Sequence, residues 1–140
     1  MNSQLGHSRT VFVIEQEPLI SMWITEVLAD QGVATLRQAG LADVIKAAKA
    51  HAPAAVILDL ASADTGVDPN ARMGPDHLIS VLRQTYPGLC VVALAGHTNT
   101  ETQTMLREFR VPLLTKPFGS AELLKLLRDH GVVVAAGRSP

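Results

Sequence analysis

Short apolar segments alternate with amphipathic segments along most of the chain. The apolar segments each contain Val and show no clean alternation with polar residues, which is typical of parallel strands covered on both faces. The pattern therefore predicts five buried strands. They are TVFVI (10–14), VATL (33–36), AAVIL (54–58), LCVVALA (89–95) and VPLL (111–114).

The segments between these strands have helical spacing of apolar residues and residues that favour helix ends. After Pro18 the apolar positions recur every three or four residues, and Gly32 then stands where a helix C-cap belongs. Thr98 and Glu101 match a capping box, Ser120 can cap the last helix, and Gly131 ends it. Helices are thus predicted after each strand, with the others over 41–51 and 74–88.

A strict alternation of strand and helix predicts a doubly wound (βα)5 three-layer α/β sandwich, flavodoxin-like, with a parallel sheet in the order 2-1-3-4-5. The fold-forming part spans 10–131, preceded by an extension at 1–9 and followed by a tail at 132–140. The connection after the third strand is the longest and contains the irregular stretch LASADTGVDPNARMG (60–74).

Composition narrows the class of function. The chain has 140 residues, 47% of them hydrophobic, which suits one domain with one core. Its 12 basic and 13 acidic side chains give a net charge of −1 without a basic cluster, so we expect no direct binding of nucleic acid. One cysteine, Cys90, and no long apolar run predict a cytoplasmic protein without membrane insertion.

Candidate chemistry lies where the predicted strands end. Glu15 and Gln16 follow the first strand, Asp59 follows the third, and Lys116 follows the fifth. Ligands of such sheets bind outside the carboxyl ends of the strands, and the first and third strands are neighbours in this order. Two carboxylates and an amide at one edge suit a hard cation such as Mg²⁺, and the ammonium of Lys116 can approach the same edge.

These segments resemble the response-regulator receiver domain of two-component signalling. The matches are VFVIEQEPLI after the first strand, AAVILDL around Asp59, and LLTKPF around Lys116, and the resemblance covers 10–131. It implies that Asp59 accepts a phosphoryl group from a histidine kinase or phosphotransfer protein in a phosphorelay. It also implies that Glu15, Gln16 and Asp59 bind Mg²⁺, that Lys116 contacts the phosphoryl oxygens, and that the domain is a phosphoacceptor rather than an enzyme.

Several positions depart from the family pattern and predict an atypical site. Gln16 stands where a metal-binding Asp is usual; a charge at about 4 Å is worth roughly 4 kcal/mol gross, so weaker Mg²⁺ binding is expected. Ala95 replaces a hydroxyl residue that would contact the phosphoryl group, and Leu113 replaces the usual aromatic switch. Ala63 replaces a Pro in a longer loop, in which Asp64 and Asp68 either add charge near the site or are solvated.

Other reaction classes lack their motifs. Asp59 is followed by Leu60 and Ala61, so the second carboxylate of a dehalogenase-type phosphatase is missing. The sequence contains neither a GK[ST] phosphate loop nor G-x-S-x-G, and EQEPLI stands where a dinucleotide-binding domain has its glycines. His97 follows the fourth strand, and the simplest interpretation of it is a solvated loop side chain.

Two functions therefore remain open. The first is a receiver domain whose phosphorylation at Asp59 changes its affinity for a downstream protein. The alternative is a degenerate receiver that acts as a phosphorylation-independent interaction module, which Gln16, Ala95 and Leu113 favour. In either case the dense leucines of LLKLL (123–127) predict possible homodimerisation through the face of the last helix.

Overall fold

The computed structural model describes residues 10–63 and 74–133, with the side chains of Leu41, Ser62 and Ala63 left aside. These residues form five strands and six helices. In chain order they are β1 (Thr10–Ile14), α1 (Pro18–Ala29), β2 (Ala34–Arg37), α2 (Leu41–Ala50), β3 (Ala55–Asp59), α3 (Leu60–Ala63), α4 (Pro75–Thr85), β4 (Cys90–Ala95), α5 (Thr100–Glu108), β5 (Leu113–Thr115) and α6 (Ser120–Asp129).

The five strands form one parallel sheet in the order β2-β1-β3-β4-β5, which confirms the predicted fold class. Successive residues of β1 point to opposite faces of the sheet. Phe12 and Ile14 pack into the first core, beneath α2, α4 and α5. Val11 and Val13 pack into the second core, beneath α1 and α6. Helices on both faces explain why the strands read as continuous apolar segments.

The helix ends differ from the sequence prediction in two places. The N-cap of α5 is Asn99, whose side chain accepts a 2.7 Å hydrogen bond from the Thr102 amide. The predicted capping box with Thr98 as its N-cap is therefore wrong. Ser120 is the first residue of α6 and not its cap, because Gly119 is the N-cap and its amide donates to Glu122 Oε1 at 2.8 Å.

The two predicted glycine stops are confirmed. Gly32 follows α1 with φ +75° and Gly131 follows α6 with φ +76°, and an L side chain would be strained at either angle. Beyond Gly131, Val132 and Val133 are buried in the second core. The remainder of the predicted tail, the extension 1–9, and the loop acids Asp64 and Asp68 lie outside the described residues.

Two side chains of α4 and its C-cap connect this helix to its neighbours by hydrogen bonds. The Tyr86 hydroxyl donates a 2.6 Å hydrogen bond to the carbonyl of Ala48, which joins the end of α4 to α2. The Arg83 guanidinium donates to the carbonyls of Leu89 and Phe109, which joins α4 to the residues before β4 and after α5. No helix in the described residues is long and apolar enough to cross a membrane.

Candidate functional site

Three charged side chains converge at the carboxyl edge of the sheet. Ile14 lies opposite Leu58 in the β1–β3 ladder, so Glu15 and Asp59 follow side by side. The Lys116 amide donates to the Ala95 carbonyl at 2.8 Å, which fixes the start of the chain after β5 at the same edge. The structure thus brings together Glu15, Asp59 and Lys116, as the sequence order predicts for a sheet of this topology.

Lys116 lies between the two carboxylates. Its Nζ is 3.2 Å from Asp59 Oδ2, to which it donates a hydrogen bond, and 3.2 Å from Glu15 Oε1. The side chains of Glu15 and Asp59 are only 0% and 4% exposed, so the ammonium offsets part of the cost of removing both carboxylates from water. Burial alone lowers the pKa of Lys116, but the hydrogen bond to Asp59 and the negative charges of Asp59 and Glu15 outweigh it and raise that pKa.

The surroundings of the Glu15 carboxyl disfavour its charged form. Burial raises its pKa, and the neighbouring Asp59 carboxyl raises it further through a hydrogen bond and through its charge. The Glu17 amide opposes this shift by donating to Glu15 Oε2 at 3.1 Å. Glu15 Oε1 accepts no hydrogen bond within the described part of the chain, and its contact with Lys116 is an ion pair without hydrogen-bond geometry.

Asp59 is held from its other side by the backbone. Its Oδ1 accepts a 3.1 Å hydrogen bond from the amide of Ala61, in the short helix α3. Asp59 also ends β3 itself, where the sequence prediction ended the strand one residue earlier. The sequence pattern did not predict α3. Its formation orients the Asp59 carboxylate by a local side-chain-to-backbone bond of the kind that Asp favours at helix starts.

A cavity of about 660 Å³ opens over Asp59. Its walls include Lys116 and residues from the end of β4 and the following loop. Ala95 presents a methyl group there, in agreement with the predicted lack of a hydroxyl at this position. Two hydroxyl residues, Thr98 and Thr102, also line the cavity, as does exposed His97. The wall residues are Glu17, Asp59, Leu60, Ala61, Ala95, Gly96, His97, Thr98, Asn99, Thr102 and Lys116.

Gln16 and Glu17 line different cavities. Gln16 is exposed and lines a separate cleft of about 380 Å³, together with Glu15 and Arg37. Glu17 lines the Asp59 cavity, with its Oε2 3.9 Å from Lys116 Nζ. The sequence analysis did not single out Glu17. The signal that points to it is side-chain alternation in an extended segment, which places 15 and 17 on one side and 16 on the other.

A second groove, of about 420 Å³, adjoins the Asp59 cavity and shares Glu17 and Lys116 with it. Its apolar walls include Trp23 and Phe118, whose rings are 5.6 Å apart. The exposed large apolar side chains of the described residues lie on α1 and β2. They are Leu19, Met22 and Leu36.

The leucines of α6 pack inward, and Leu124 and Leu126 are partly buried against the second core. Self-association through the α6 face stays a prediction. Leu113 is partly buried against the first core, so an aliphatic side chain fills the place of the family's aromatic residue.

The acidic residues fit a divalent cation of the Mg²⁺ type. Glu15 Oε1 is a buried carboxylate oxygen that accepts no hydrogen bond from residues 10–63 or 74–133, and Asp59 supplies a second buried carboxylate beside it. The described residues contain no group of three or more His, Cys, Asp or Glu side chains placed to hold a metal. Two carboxylates are nevertheless enough for Mg²⁺, which keeps several of its waters when bound to proteins.

No protein-family model matches the chain, and no curated protein matches it in sequence. Solved structures match it in fold. The beryllofluoride-activated receiver-domain dimer of NtrC4 gives a TM-score of 0.74 at 18% identity, over 88% of this chain and 96% of that one. The receiver domain of NtrX from Brucella abortus gives 0.72 at 23% identity, over 86% and 96%. Chemotaxis protein CheY4 from Vibrio cholerae gives 0.69 at 19% identity, over 86% and 96%.

The match also occurs within longer proteins, since this chain covers 26% of an NtrX chain crystallised with ATP. The shared part is the five-stranded parallel sheet with its flanking helices, in the strand order found here. The resemblance inferred from the three sequence segments is confirmed at this level: the chain has the fold of the response-regulator receiver domains.

Proposed function

We propose that this chain is a phosphoacceptor receiver domain in which Asp59 takes a phosphoryl group from a phosphohistidine of a histidine kinase or phosphotransfer protein. The observation that carries the proposal is the placement of Asp59. It is a buried carboxylate at a strand end, held by Lys116 Nζ and the Ala61 amide, and it opens into a cavity large enough for a phosphoryl group.

The chemistry is an exchange of one bond for another. An oxygen of the ionised Asp59 carboxylate attacks phosphorus, the phosphorus–nitrogen bond of the donor breaks, and its electron pair returns to the imidazole nitrogen. The product is an acyl phosphate on Asp59. Lys116, already within 3.2 Å of Asp59, then has a phosphoryl oxygen as an additional anionic partner. Glu15 and Asp59 are the residues that would hold Mg²⁺, which supplies charge neutralisation for the phosphoryl oxygens when bound.

The ion-pair arrangement supports a change of state on phosphorylation. Lys116 is shared between two carboxylates in the structure described here. A phosphoryl group on Asp59 adds negative charge on that side of Lys116, and the ammonium also borders the aromatic groove of Trp23 and Phe118. A shift of Lys116 therefore alters two adjoining surfaces, which gives a route from phosphorylation to the affinity for a downstream protein.

The alternative, a phosphorylation-independent interaction module, has one specific observation in its favour. The Ala95 methyl group lines the cavity beside Asp59, so no hydroxyl from this position is available to a phosphoryl oxygen. On this alternative the exposed apolar side chains Leu19 and Met22 of α1 act whatever the state of Asp59.

Beryllofluoride, an acyl-phosphate mimic, separates the two. We expect Mg²⁺ with beryllofluoride to shift the backbone amide NMR signals around the Asp59 cavity, including those of His97 and Lys116. Asp59→Asn, which keeps the shape but lacks the nucleophilic oxygen pair, should show none of these shifts. Unchanged spectra of the wild type under the same conditions would refute phosphoacceptor function and leave the interaction module.

A further inference from the structure

The acidic segment after β1 contains three consecutive candidates for the cation, Glu15, Gln16 and Glu17, and the structure separates them. The chain is extended here, with Glu17 at φ −78° and ψ 113°. Side chains in an extended segment alternate in direction. Glu15 and Glu17 accordingly approach Lys116, whereas Gln16 lines a cleft that it shares with Glu15 and Arg37.

We propose that Glu17, and not Gln16, is the second residue after β1 that holds the divalent cation, by accepting hydrogen bonds from its bound waters beside Glu15 and Asp59. This inference rests on the proposed function, because it concerns the same phosphoacceptor site. It replaces the expectation from sequence that Gln16 is a ligand. A carboxylate at position 17 would also supply the negative charge that Gln16 lacks, one position further along the chain.

Three observations support the assignment. Glu17 lines the cavity that contains Asp59 and its Oε2 lies 3.9 Å from Lys116 Nζ, whereas Gln16 lines the cleft beside Arg37. Glu17 is the N-cap residue of α1, yet within the described residues its side chain makes no capping hydrogen bond, so helix capping does not account for the carboxylate. The buried Glu15 Oε1, which accepts no hydrogen bond in the described part of the chain, points to a cationic ligand beside Lys116 at this spot.

Glu17 acts from the outer shell of the ion. Its side chain is 66% exposed and lies 3.9 Å from Lys116 Nζ, further away than either buried carboxylate. Mg²⁺ binds through one or two carboxylates and retains waters, and a third carboxylate can accept hydrogen bonds from those waters. This mode agrees with the lack of a three-acid metal cluster among residues 10–63 and 74–133.

The test measures the ion directly. Mg²⁺ affinity is determined by titration calorimetry, and Mn²⁺ is used as a paramagnetic substitute whose broadening of amide signals reports its position. We expect Glu17→Gln to weaken Mg²⁺ binding about five- to tenfold, as the loss of one charge close to a divalent ion requires. Gln16→Ala should change the affinity less than about twofold.

Glu26→Gln is the matched control, because it removes the same charge from an exposed position of the same helix. Equal weakening by Glu17→Gln and Glu26→Gln would overturn the inference, since the effect would then be one of net charge. A larger loss for Gln16→Ala than for Glu17→Gln would overturn it in favour of Gln16.

A double-variant comparison separates direct action from action through Lys116. If Glu17 holds the ion, Glu17→Gln also weakens Mg²⁺ binding in a Lys116→Met background, and loss of the effect there would overturn the inference. The failure of the proposed function itself looks different. In that case the wild type shows no Mg²⁺ heat and no Mn²⁺ broadening around Asp59, which would refute the cation site as a whole.

Discussion

Replacement of Lys116 by Met probes the electrostatic centre of the site. The substitution keeps an unbranched side chain of similar length and removes only the ammonium. In the wild type that ammonium is 3.2 Å from both Glu15 Oε1 and Asp59 Oδ2. Without it, two neighbouring buried carboxyl groups lose the ammonium that lies between them, and removing one partner of a buried ion pair is strongly destabilising.

The size of the effect follows from the distances. At 3.2 Å and an effective dielectric constant near 20, each ion pair is worth about 5 kcal/mol gross. Desolvation of the lysine and proton uptake by Glu15, whose pKa burial already raises, reduce the net loss, so we expect Lys116→Met to cost about 3 kcal/mol of unfolding free energy near neutral pH. The loss shrinks as the pH falls through the raised pKa of Glu15 towards 4.5, because a protonated Glu15 carboxyl no longer needs the ammonium.

Urea denaturation of both proteins at a series of pH values measures this loss. Lys125→Met is the matched control, because Lys125 Nζ also lies 3.0 Å from a carboxylate, that of Asp129, but both side chains are exposed. Its cost should stay below about 1 kcal/mol at every pH. A Lys116→Met protein as stable as the control near neutral pH, or a loss independent of pH, would refute the electrostatic account of the site.

Three further predictions concern single groups. Because the pKa of Glu15 is raised above 4.5, the folded state loses stability as the pH rises from 4.5 through that raised value. Glu15→Gln should therefore flatten this part of the profile of unfolding free energy against pH, measured in urea. Equal slopes for the wild type and Glu15→Gln would contradict the shift. Burial raises the pKa of Cys90 to about 11 from 9.0, so stability should fall by about 2 kcal/mol between these pH values in the wild type but not in Cys90→Ala. Arg83→Met leaves the carbonyls of Leu89 and Phe109 without the guanidinium donor and should lower the free energy of unfolding by about 2–3 kcal/mol, measured by thermal denaturation. A loss below about 0.5 kcal/mol would contradict this and mean that water replaces the guanidinium.

Both the sheet and the three charged residues of the site could be predicted from the sequence, because both follow from the position of the buried strands. Apolar segments rich in Val mark strands that are buried on both faces, and polar residues at their ends then share one edge of the sheet. Glu15, Asp59 and Lys116 therefore had to meet once the strand order was fixed. The strand bounds shifted by only one or two residues, because apolar content does not mark where the ladder of hydrogen bonds stops.

The details that were missed depend on local backbone angles. Thr98, Asn99 and Thr100 are all capable caps, and only the backbone path selects Asn99 for α5. The single turn of α3 forms around a bond from the Ala61 amide to Asp59, with too few residues to leave a periodic signal. The separation of Gln16 from Glu17 likewise requires the direction of each side chain, which composition does not contain.

The central claim, that Asp59 is a phosphoacceptor, is tested most directly by incubating the protein with acetyl phosphate and Mg²⁺ and measuring intact mass, followed by fragmentation to locate the modified residue. The account predicts the addition of one phosphoryl group, located on Asp59, and no addition to Asp59→Asn. A wild-type protein that stays unmodified, or a phosphoryl group that Asp59→Asn acquires equally well, would contradict it.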